Sequence, residues 1–355
     1  METKEHRILL ILTGGTICSF ADERGEREAD TERALTLIVK NFQDGDCLYK
    51  DTVKFDPKMP LDILSENMTT SHWNTLVEKM KTYDFSLYDG VIILHGTDTL
   101  AYTSALLSVL LAGTKIPVFL VSSQLPIYMK EANGNANFKA AVEMIVNGTK
   151  PNVYAVYRNC EGEKQAMYVH YGAHLLQCAN HSDSFFSCDM TKVSRNNAFF
   201  EGRDSGNKDM LLYNCGTLSS CVLKIEPYVG INYDFFSLDG VKAVLHGTYH
   251  SSTMTVNPYE KAETFSDGCN AHSVLSLKER CDSCDTPIPL FVEPCNPDAY
   301  AYETTGELLR SGARAIWGIT SEMAYVKLLI GCSMNLDGNG LKNFVMTEIN
   351  GEFVK

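Results

Sequence analysis

Short apolar runs alternate with segments of helical spacing along the first half of the chain. Continuous apolar runs are typical of parallel strands that are covered on both faces. The segments 99–113 and 135–148 have the period of a helix, and both end on glycine. The alternation predicts a doubly wound, mostly parallel sheet, which is an α/β fold. Its predicted strands are residues 7–13, 89–97, 116–123 and 152–157.

The pattern changes near the middle of the chain. Polar residues and glycine dominate about 190–220, as in a linker. After it, 239–250 is another strand that ends at glycine, and 320–331 has apolar residues at helical spacing. We therefore predict two domains and a connection. A larger N-terminal domain covers 1–205, a linker covers 206–217, and a smaller C-terminal α/β domain covers 218–355.

Composition restricts the classes of function. The 355 residues carry a net charge of −13 and no basic stripe that could neutralise phosphates, which argues against a nucleic-acid partner. No stretch approaches the roughly 20 apolar residues that span a bilayer, and the N-terminus lacks a secretory signal. We therefore predict a cytoplasmic protein without a membrane partner. Its 12 cysteines are then expected to be free thiols.

One cysteine spacing, Cys281-Asp282-Ser283-Cys284, resembles half of a zinc site. A closed zinc site needs two more ligands. Cys269, Cys295 and His272 are available, but none completes a second CxxC pair. The spacing therefore favours a loop with two thiols, and we predict no metal and no cofactor.

Hydroxyl groups follow two of the predicted strands. Thr13 and Thr16 enclose Gly14 and Gly15, and His95-Gly96-Thr97-Asp98-Thr99 follows the second run. Ligands of open α/β sheets bind beyond the carboxyl ends of the strands. A hydroxyl beside backbone N–H groups can attack a carbonyl while those groups hold the oxyanion. Thr97 or Thr99 could equally cap the next helix.

These motifs resemble a known family. "ILTGGTI" followed by "LHGTDTLAYTSALLSVLL" is similar to the bacterial-type L-asparaginase/glutaminase family, and closest to its cytoplasmic type I branch. The resemblance extends to most of the chain. It includes "LDILSENMTTSHW" (61–73), "IPVFLVSSQLPI" (116–127) and "GITSEMAYVKLLIG" (318–331).

The resemblance implies a role for each matching residue. Thr13 would be the nucleophile that accepts the acyl group, and Thr97 would belong to a second triad. Asp98 would hold the α-amino group of the substrate, with help from Glu66, and Ser65 would bind the α-carboxylate. Gly14, Thr16 and Gly96 would line the same substrate site. The implied assembly is a homodimer or homotetramer.

The chain departs from the family pattern at the lysine of the second triad. In the segment 171–187, the family's spacing places Gln177 at the lysine position. Glutamine can form hydrogen bonds but cannot shuttle a proton. The alternative is that Lys192, in "CDMTKVS", reaches the same place through an insertion.

Two further segments differ. Residues 18–34, where the family carries a lid with a tyrosine, contain no tyrosine and many charged residues. They fit either a solvated loop or a lid for a different substrate. In the C-terminal domain, "LHGTYHSSTMTVNP" (245–258) places His246 and His250 near a strand end.

The leading hypothesis is an amidohydrolase that converts L-asparagine to L-aspartate and ammonia through Thr13. Its partner is then a small amino-acid amide. One alternative is hydrolysis of a different amide on the same fold. Another is a catalytically impaired ligand-binding or sensor protein. A third is the amidase subunit of a tRNA amidotransferase.

Overall fold

The chain folds into two compact units. The computed structural model describes residues 4–160, 166–206, 209–256, 269–296 and 302–354. Unit 1 comprises Met1–Cys215 and Ile349–Gly351, and unit 2 comprises Gly216–Glu348 and Glu352–Lys355. Both units are α/β, and the larger sheet is mostly parallel, so the predicted fold class is confirmed.

Unit 1 is built on a seven-stranded sheet of order β4-β1-β5-β6-β7-β8-β9. The first five strands in that order are parallel, and β8 and β9 are antiparallel additions. Strands β2 and β3 form a separate hairpin. The strands are β1 (His6–Leu12), β2 (Ser19–Ala21), β3 (Arg27–Ala29), β4 (Val53–Lys58), β5 (Gly90–Leu94), β6 (Val118–Val121), β7 (Val153–Asn159), β8 (Ala166–Tyr171) and β9 (Thr191–Val193).

Helices of unit 1 follow the apolar spacing of the sequence. All but one residue of α3 is buried, which matches its mixture of leucine, alanine and small hydroxyl residues. The helical turn Leu211–Asn214, inside the predicted linker, packs against α2 and α3. The helices are α1 (Thr31–Asp44), α2 (Thr70–Lys81), α3 (Leu100–Leu110) and α4 (Gly134–Val146).

The strand order of unit 1 fixes where a ligand site can form. From β1 the chain moves to β4 on one side, and it then returns to β5 on the other side of β1. The connections therefore diverge between β1 and β5. In open α/β sheets, this switch point opens a crevice at the carboxyl ends of the two strands. Thr13 follows β1 there, and His95 follows β5.

Unit 2 has a four-stranded sheet of order β10-β11-β12-β13, and all its pairs are parallel. Its core lies between this sheet and the flanking helices. The strands are β10 (Val222–Ile225), β11 (Ala243–His246), β12 (Leu290–Val292) and β13 (Arg314–Ala315). The helices are α5 (Val274–Asp282), α6 (Glu303–Arg310), α7 (Ser321–Ser333) and α8 (Gly338–Met346).

The last residues of the chain contribute to both units. Asn350, in unit 1, donates from Nδ2 to the Ser108 carbonyl (2.9 Å) and to Asn152 Oδ1 (3.0 Å). In unit 2, Lys327 Nζ on α7 pairs with Glu352 Oε1 at 2.5 Å, and both side chains are 0% exposed. The same ammonium donates to the Thr347 carbonyl at 2.7 Å.

Two segments are more ordered than the simple loops considered for them. Residues 18–34 are not simply a solvated loop, because they form the β2–β3 hairpin and the start of α1. Phe20 on β2 is buried, stacks on Tyr128 at 5.5 Å between ring centroids, and lies under the Arg33 guanidinium. The CxxC pair lies only partly in a loop, because Cys281 is buried within α5 and Cys284 follows the end of that helix. Among the described residues, no helix is long and apolar enough to cross a membrane.

Candidate active site

The turns after β1 and β5 touch through their glycines. Gly14 and Gly15 have φ of 104° and 78°, a region that favours glycine. A Cβ on Gly15 would lie 2.2 Å from the Gly96 Cα, and a Cβ on Gly14 would lie 2.1 Å from the Ile63 carbonyl oxygen. Side chains are therefore sterically excluded at both positions. The lack of side chains brings the Thr13 turn against the turn that carries Thr97 and Asp98.

Thr13 is the first residue after β1, and it is only 2% exposed. Its Oγ1 donates to the Leu94 carbonyl at 2.9 Å, and its N–H donates to the same oxygen at 3.1 Å. The hydroxyl is therefore held at the end of β5 with its proton on a backbone acceptor. For Thr13 to act as a nucleophile, this proton must pass to a base.

Ser65 joins the second turn to the segment 61–73. Its Oγ donates to Asp98 Oδ2 at 2.9 Å and accepts from the Asp98 N–H at 3.2 Å. The Thr99 hydroxyl donates to the Ser65 carbonyl at 3.0 Å. Thr99 is the N-cap residue of α3, but its side chain makes no capping hydrogen bond. The Thr99 hydroxyl thus ties the β5 turn to Ser65 and does not cap α3.

His95 fixes the shape of the β5 turn. Its side chain is fully buried, and burial lowers its pKa to about 4. The ring is therefore neutral near pH 7, and Nδ1 must be the donor to the Gly96 carbonyl at 2.8 Å, because that oxygen can only accept. Nε2 is left as a buried acceptor without a partner among the described residues. Sequence reasoning missed this role, although the histidine stands inside the motif.

The structure separates the two residues considered for the lysine position. Gln177 Nε2 donates to the Asp98 carbonyl, so its side chain lies against the β5 turn. Lys192 is exposed on β9, the edge strand four positions from β5. At a strand spacing of about 4.8 Å, this corresponds to about 19 Å across the sheet. The geometry thus brings Gln177 to the site and leaves Lys192 distant.

The remaining expected site residues are more peripheral. Glu66 is exposed in the helical turn Ser65–Asn67, which follows the Ile63 contact with Gly14. Thr16 is half-buried and starts the helical turn Thr16–Cys18, where its carbonyl accepts from the Ser19 hydroxyl at 3.0 Å.

A polar cavity of about 270 Å³ opens beside the β5 turn. Its lining consists of the loop 178–183 and of Thr97, Asp98, Gln124, Tyr157, Gln177 and Phe185. The loop is closed at its base by the bridge between Leu175 and Ser187. The cavity offers amide, hydroxyl and carboxylate groups, which suit a small polar ligand that carries an amino group.

Unit 2 repeats the histidine turn. The tetrapeptide Leu-His-Gly-Thr occurs at 94–97 and again at 245–248. His246 Nδ1 lies 2.6 Å from the Gly247 carbonyl, and burial lowers its pKa. In this copy Nε2 has a partner, the Tyr233 hydroxyl at 2.8 Å. His246 is thus buried and structural, whereas His250 is exposed.

Comparisons with known proteins agree with this geometry. A family model described as "Asparaginase, N-terminal" matches residues 7–197. An L-asparaginase of Thermococcus kodakarensis is 30% identical over 180 residues, which are 50% of this chain and 52% of that protein. A glutamyl-tRNA(Gln) amidotransferase subunit of Methanococcus maripaludis is 26% identical over 98% of this chain and 81% of its own length.

Solved structures share the fold. The thermostable L-asparaginase from Thermococcus kodakarensis superimposes with a TM-score of 0.75 at 21% identity, over 98% of this chain and 99% of that one. L-asparaginase I from Vibrio cholerae gives a TM-score of 0.68 at 20% identity, over 99% and 100% of the two chains. A probable cytoplasmic L-asparaginase from Campylobacter jejuni gives 0.70 at 18% identity, over 97% and 100%.

Proposed function

The chain belongs to the asparaginase family, and from this premise we propose that it hydrolyses L-asparagine to L-aspartate and ammonia. The observation that carries the proposal is the contact between the Gly15 and Gly96 backbones. It holds the Thr13 hydroxyl next to the turn that bears Thr97 and Asp98. A nucleophile, a second hydroxyl and a carboxylate then meet at one switch point, as acyl transfer requires.

In the proposed reaction, Thr13 Oγ1 attacks the amide carbon and forms an ester while ammonia leaves. Water then hydrolyses the ester and regenerates the hydroxyl. Backbone N–H groups of the glycine turn stabilise the oxyanion. Asp98, oriented by the Ser65 hydroxyl, binds the substrate ammonium, with Glu66 beside it. Gly14, Thr16 and Gly96 shape the pocket, and no cofactor takes part.

Gln177 is assigned to orientation and not to proton transfer. Its amide holds the Asp98 carbonyl and has no ionisable proton near pH 7. General acid–base catalysis typically contributes about 10²–10⁴-fold in rate. We therefore expect slow hydrolysis, which Gln177→Lys should accelerate. Lys192→Ala is the matched control, because Lys192 lies on the distant edge strand and its loss should leave the rate unchanged.

The test is ammonia release by the purified protein from L-asparagine and from L-glutamine at millimolar concentration. Thr13→Ala should abolish turnover and keep the melting temperature, whereas Thr75→Ala, which removes an exposed hydroxyl from α2, should change neither. Full turnover by Thr13→Ala would refute the nucleophile. If Lys192→Ala releases no ammonia and Gln177→Lys releases it at the wild-type rate, the assignment of Gln177 to the lysine position is refuted.

Two observations favour a second candidate, hydrolysis of a larger or different amide. The relative described as an amidotransferase subunit aligns with nearly the whole chain, and the 270 Å³ cavity extends along the loop 178–183 beyond Asp98. No ammonia from free asparagine, but release from a larger amide that depends on Thr13, would support it. Asparagine that raises the melting temperature without turnover would instead indicate an impaired, ligand-binding protein.

The proposal also includes the setting of the enzyme. We place it in the cytoplasm, as the description of the Campylobacter relative suggests, and as a homodimer or homotetramer. Analytical ultracentrifugation at micromolar concentration tests this assembly. A single species of 39.5 kDa, the mass of one chain, would exclude both the dimer and the tetramer.

A further inference from the structure

Strand β4 lies at one edge of the seven-stranded sheet. It pairs with β1 on one side, and among the described residues no strand pairs with its other side. The His6 N–H donates to the Thr52 carbonyl at 2.8 Å, and His6 stands opposite Val53 in the register. Because the backbone groups of successive residues point to opposite sides of a strand, Val53, Phe55 and Pro57 turn theirs away from β1.

The outward backbone groups of β4 are mostly acceptors. The Val53 N–H already donates to the Tyr49 carbonyl at 3.1 Å, and Pro57 has no N–H. Phe55 therefore offers one donor, and the carbonyls of Val53, Phe55 and Pro57 offer three acceptors. A proline on an edge strand works against pairing with arbitrary strands. A partner strand must therefore be held by its side chains as well as by its backbone.

A groove of about 890 Å³ lies between this edge and α1. Beneath it, the rings of Phe42 on α1 and Phe55 on β4 pack edge to face, with 5.4 Å between their centroids. Leu35 and Val39, one turn apart on α1, are half-buried and line the groove together with Phe55. The floor of the groove is therefore apolar and can be covered by the apolar side chains of a partner.

The groove is positively charged, although the chain as a whole carries a net charge of −13. Lys40, Lys50 and Lys54 are among the residues that line it, whereas Asp51 is the one carboxylate in the described lining. Lys54 lies on the face of β4 opposite to Phe55, because side chains alternate along a strand. A strand added to β4 would thus place one row of side chains over the apolar floor and the other row beside Lys54.

The charge and the floor together decide which partner fits. A two-fold contact of the groove with itself would bring the lysines of two copies together, and such like-charge contacts are unfavourable. A polyanion without apolar groups would leave Leu35 and Val39 uncovered. An extended segment with acidic residues at every second position, and apolar residues between them, is complementary to both the lysines and the floor.

We propose that the groove between α1 and β4 binds an extended acidic segment of a partner protein, which adds to β4 as a further strand. Its main chain hydrogen-bonds to the outward groups of Phe55, its apolar side chains cover Leu35 and Val39, and its carboxylates pair with the lysines. The groove shares no lining residue with the cavity beside the β5 turn. The interaction is therefore independent of the proposed amide hydrolysis.

The first experiment measures fluorescence anisotropy with a labelled peptide of the sequence Asp-Val-Glu-Val-Asp-Val-Glu. It should bind the full-length protein saturably. The same peptide with lysine at each acidic position should not bind, and a version that is N-methylated at alternate peptide bonds should lose most of its affinity. No saturation by the acidic peptide at millimolar concentration would overturn the proposal, and so would equal binding of the N-methylated version.

Hydrogen exchange measured by mass spectrometry locates the bound peptide. The peptide should slow amide exchange in β4, where Phe55 supplies the donor to the added strand. Strand β9, at the opposite edge of the same sheet, is the internal control and should exchange at its free rate. Binding without protection of β4, or equal protection of both edges, would refute strand addition.

Charge-reversal variants test the lysines. The double variant Lys40→Glu with Lys54→Glu should weaken peptide binding by about tenfold, because two attractions become two repulsions. Lys192→Glu on β9 is the matched control and should bind like the wild type. All three lysines are exposed, and thermal melts check that the variants remain folded. Equal weakening by Lys192→Glu, or displacement of the peptide by heparin at equal charge concentration, would reduce the groove to a patch of charge and refute the proposal.

Discussion

The buried ion pair of Lys327 and Glu352 should be the most sensitive polar contact of unit 2. Glu352→Ala removes the carboxylate and leaves the ammonium in a site that is 0% exposed. Its neighbours there include the Thr347 carbonyl and the aromatic rings of Phe344 and Phe353.

The loss of stability depends on how deeply the ion pair is buried and not on the distance between its charged atoms. Breaking a buried pair by removing one partner costs about 3–5 kcal/mol. The Lys150–Glu201 pair of unit 1 has almost the same separation, 2.6 Å, but its side chains are 46% and 71% exposed. Exposed pairs contribute little to stability, because water and salt screen their charges. Glu201→Ala is therefore the matched control.

The assay is differential scanning calorimetry of the wild type and both variants at pH 7. A loss of about 3–5 kcal/mol should lower the melting temperature of unit 2 by about 10–17 °C. Glu201→Ala should leave the thermogram unchanged. The double variant Lys327→Met with Glu352→Leu should recover most of the loss, because neither position then carries a buried charge.

Equal effects of Glu352→Ala and Glu201→Ala would refute the reasoning, since burial would then not decide the energy. A double variant as unstable as Glu352→Ala alone would also refute it, because the loss would then come from packing and not from the buried charge.

Three further outcomes are expected. Gly15→Ala should abolish amidase activity and destabilise unit 1, because its Cβ would overlap the Gly96 backbone at a φ of 78°; activity assays and thermal melts test this, and an active variant would contradict it. Burial lowers the pKa of His170 to about 4, so the unfolded chain takes up the proton first, and stability falls as the pH drops from 6.5 to 4; His170→Gln should flatten this fall in urea titrations, and an unchanged slope would exclude the residue. Burial raises the pKa of Glu293 to about 7, so its ionisation destabilises the fold as the pH rises from 4.5 to 7; Glu293→Gln should be more stable than the wild type at pH 8 and equal to it at pH 4, and equal stability at both would refute the assignment.

The sequence predicts the edge of the sheet that holds the site, because continuous apolar runs and glycine turns are local signals. The strand order depends on long-range pairing and was not predicted, whereas both the fold class and the family are confirmed. Thr13, Gly14 and Gly96 could be selected from the sequence because they lie in these local turns after apolar runs. Their roles in catalysis stay predictions.

Long-range side-chain contacts could not be predicted. Ser65 meets Asp98, and Gln177 meets the Asp98 carbonyl, only once separate loops have converged. The charged residues of 18–34 resemble a solvated loop, because nothing in that segment shows that Phe20 stacks on Tyr128. The sequence contains the tetrapeptide Leu-His-Gly-Thr twice, but only the structure shows that both of its histidines are buried.

The way in which residues 349–351 return to unit 1 has a consequence for protein synthesis. Asn350 supplies hydrogen bonds to Ser108 and Asn152, which leave the ribosome much earlier. Domains generally fold as units, beginning with the N-terminal one during synthesis. Unit 1 cannot be completed in this order, because its residues 349–351 are translated only after residues 216–348 of unit 2. A nascent chain stalled after residue 215 should therefore hold a sheet whose Asn152 side chain lacks this partner, and only release of the finished chain would complete it.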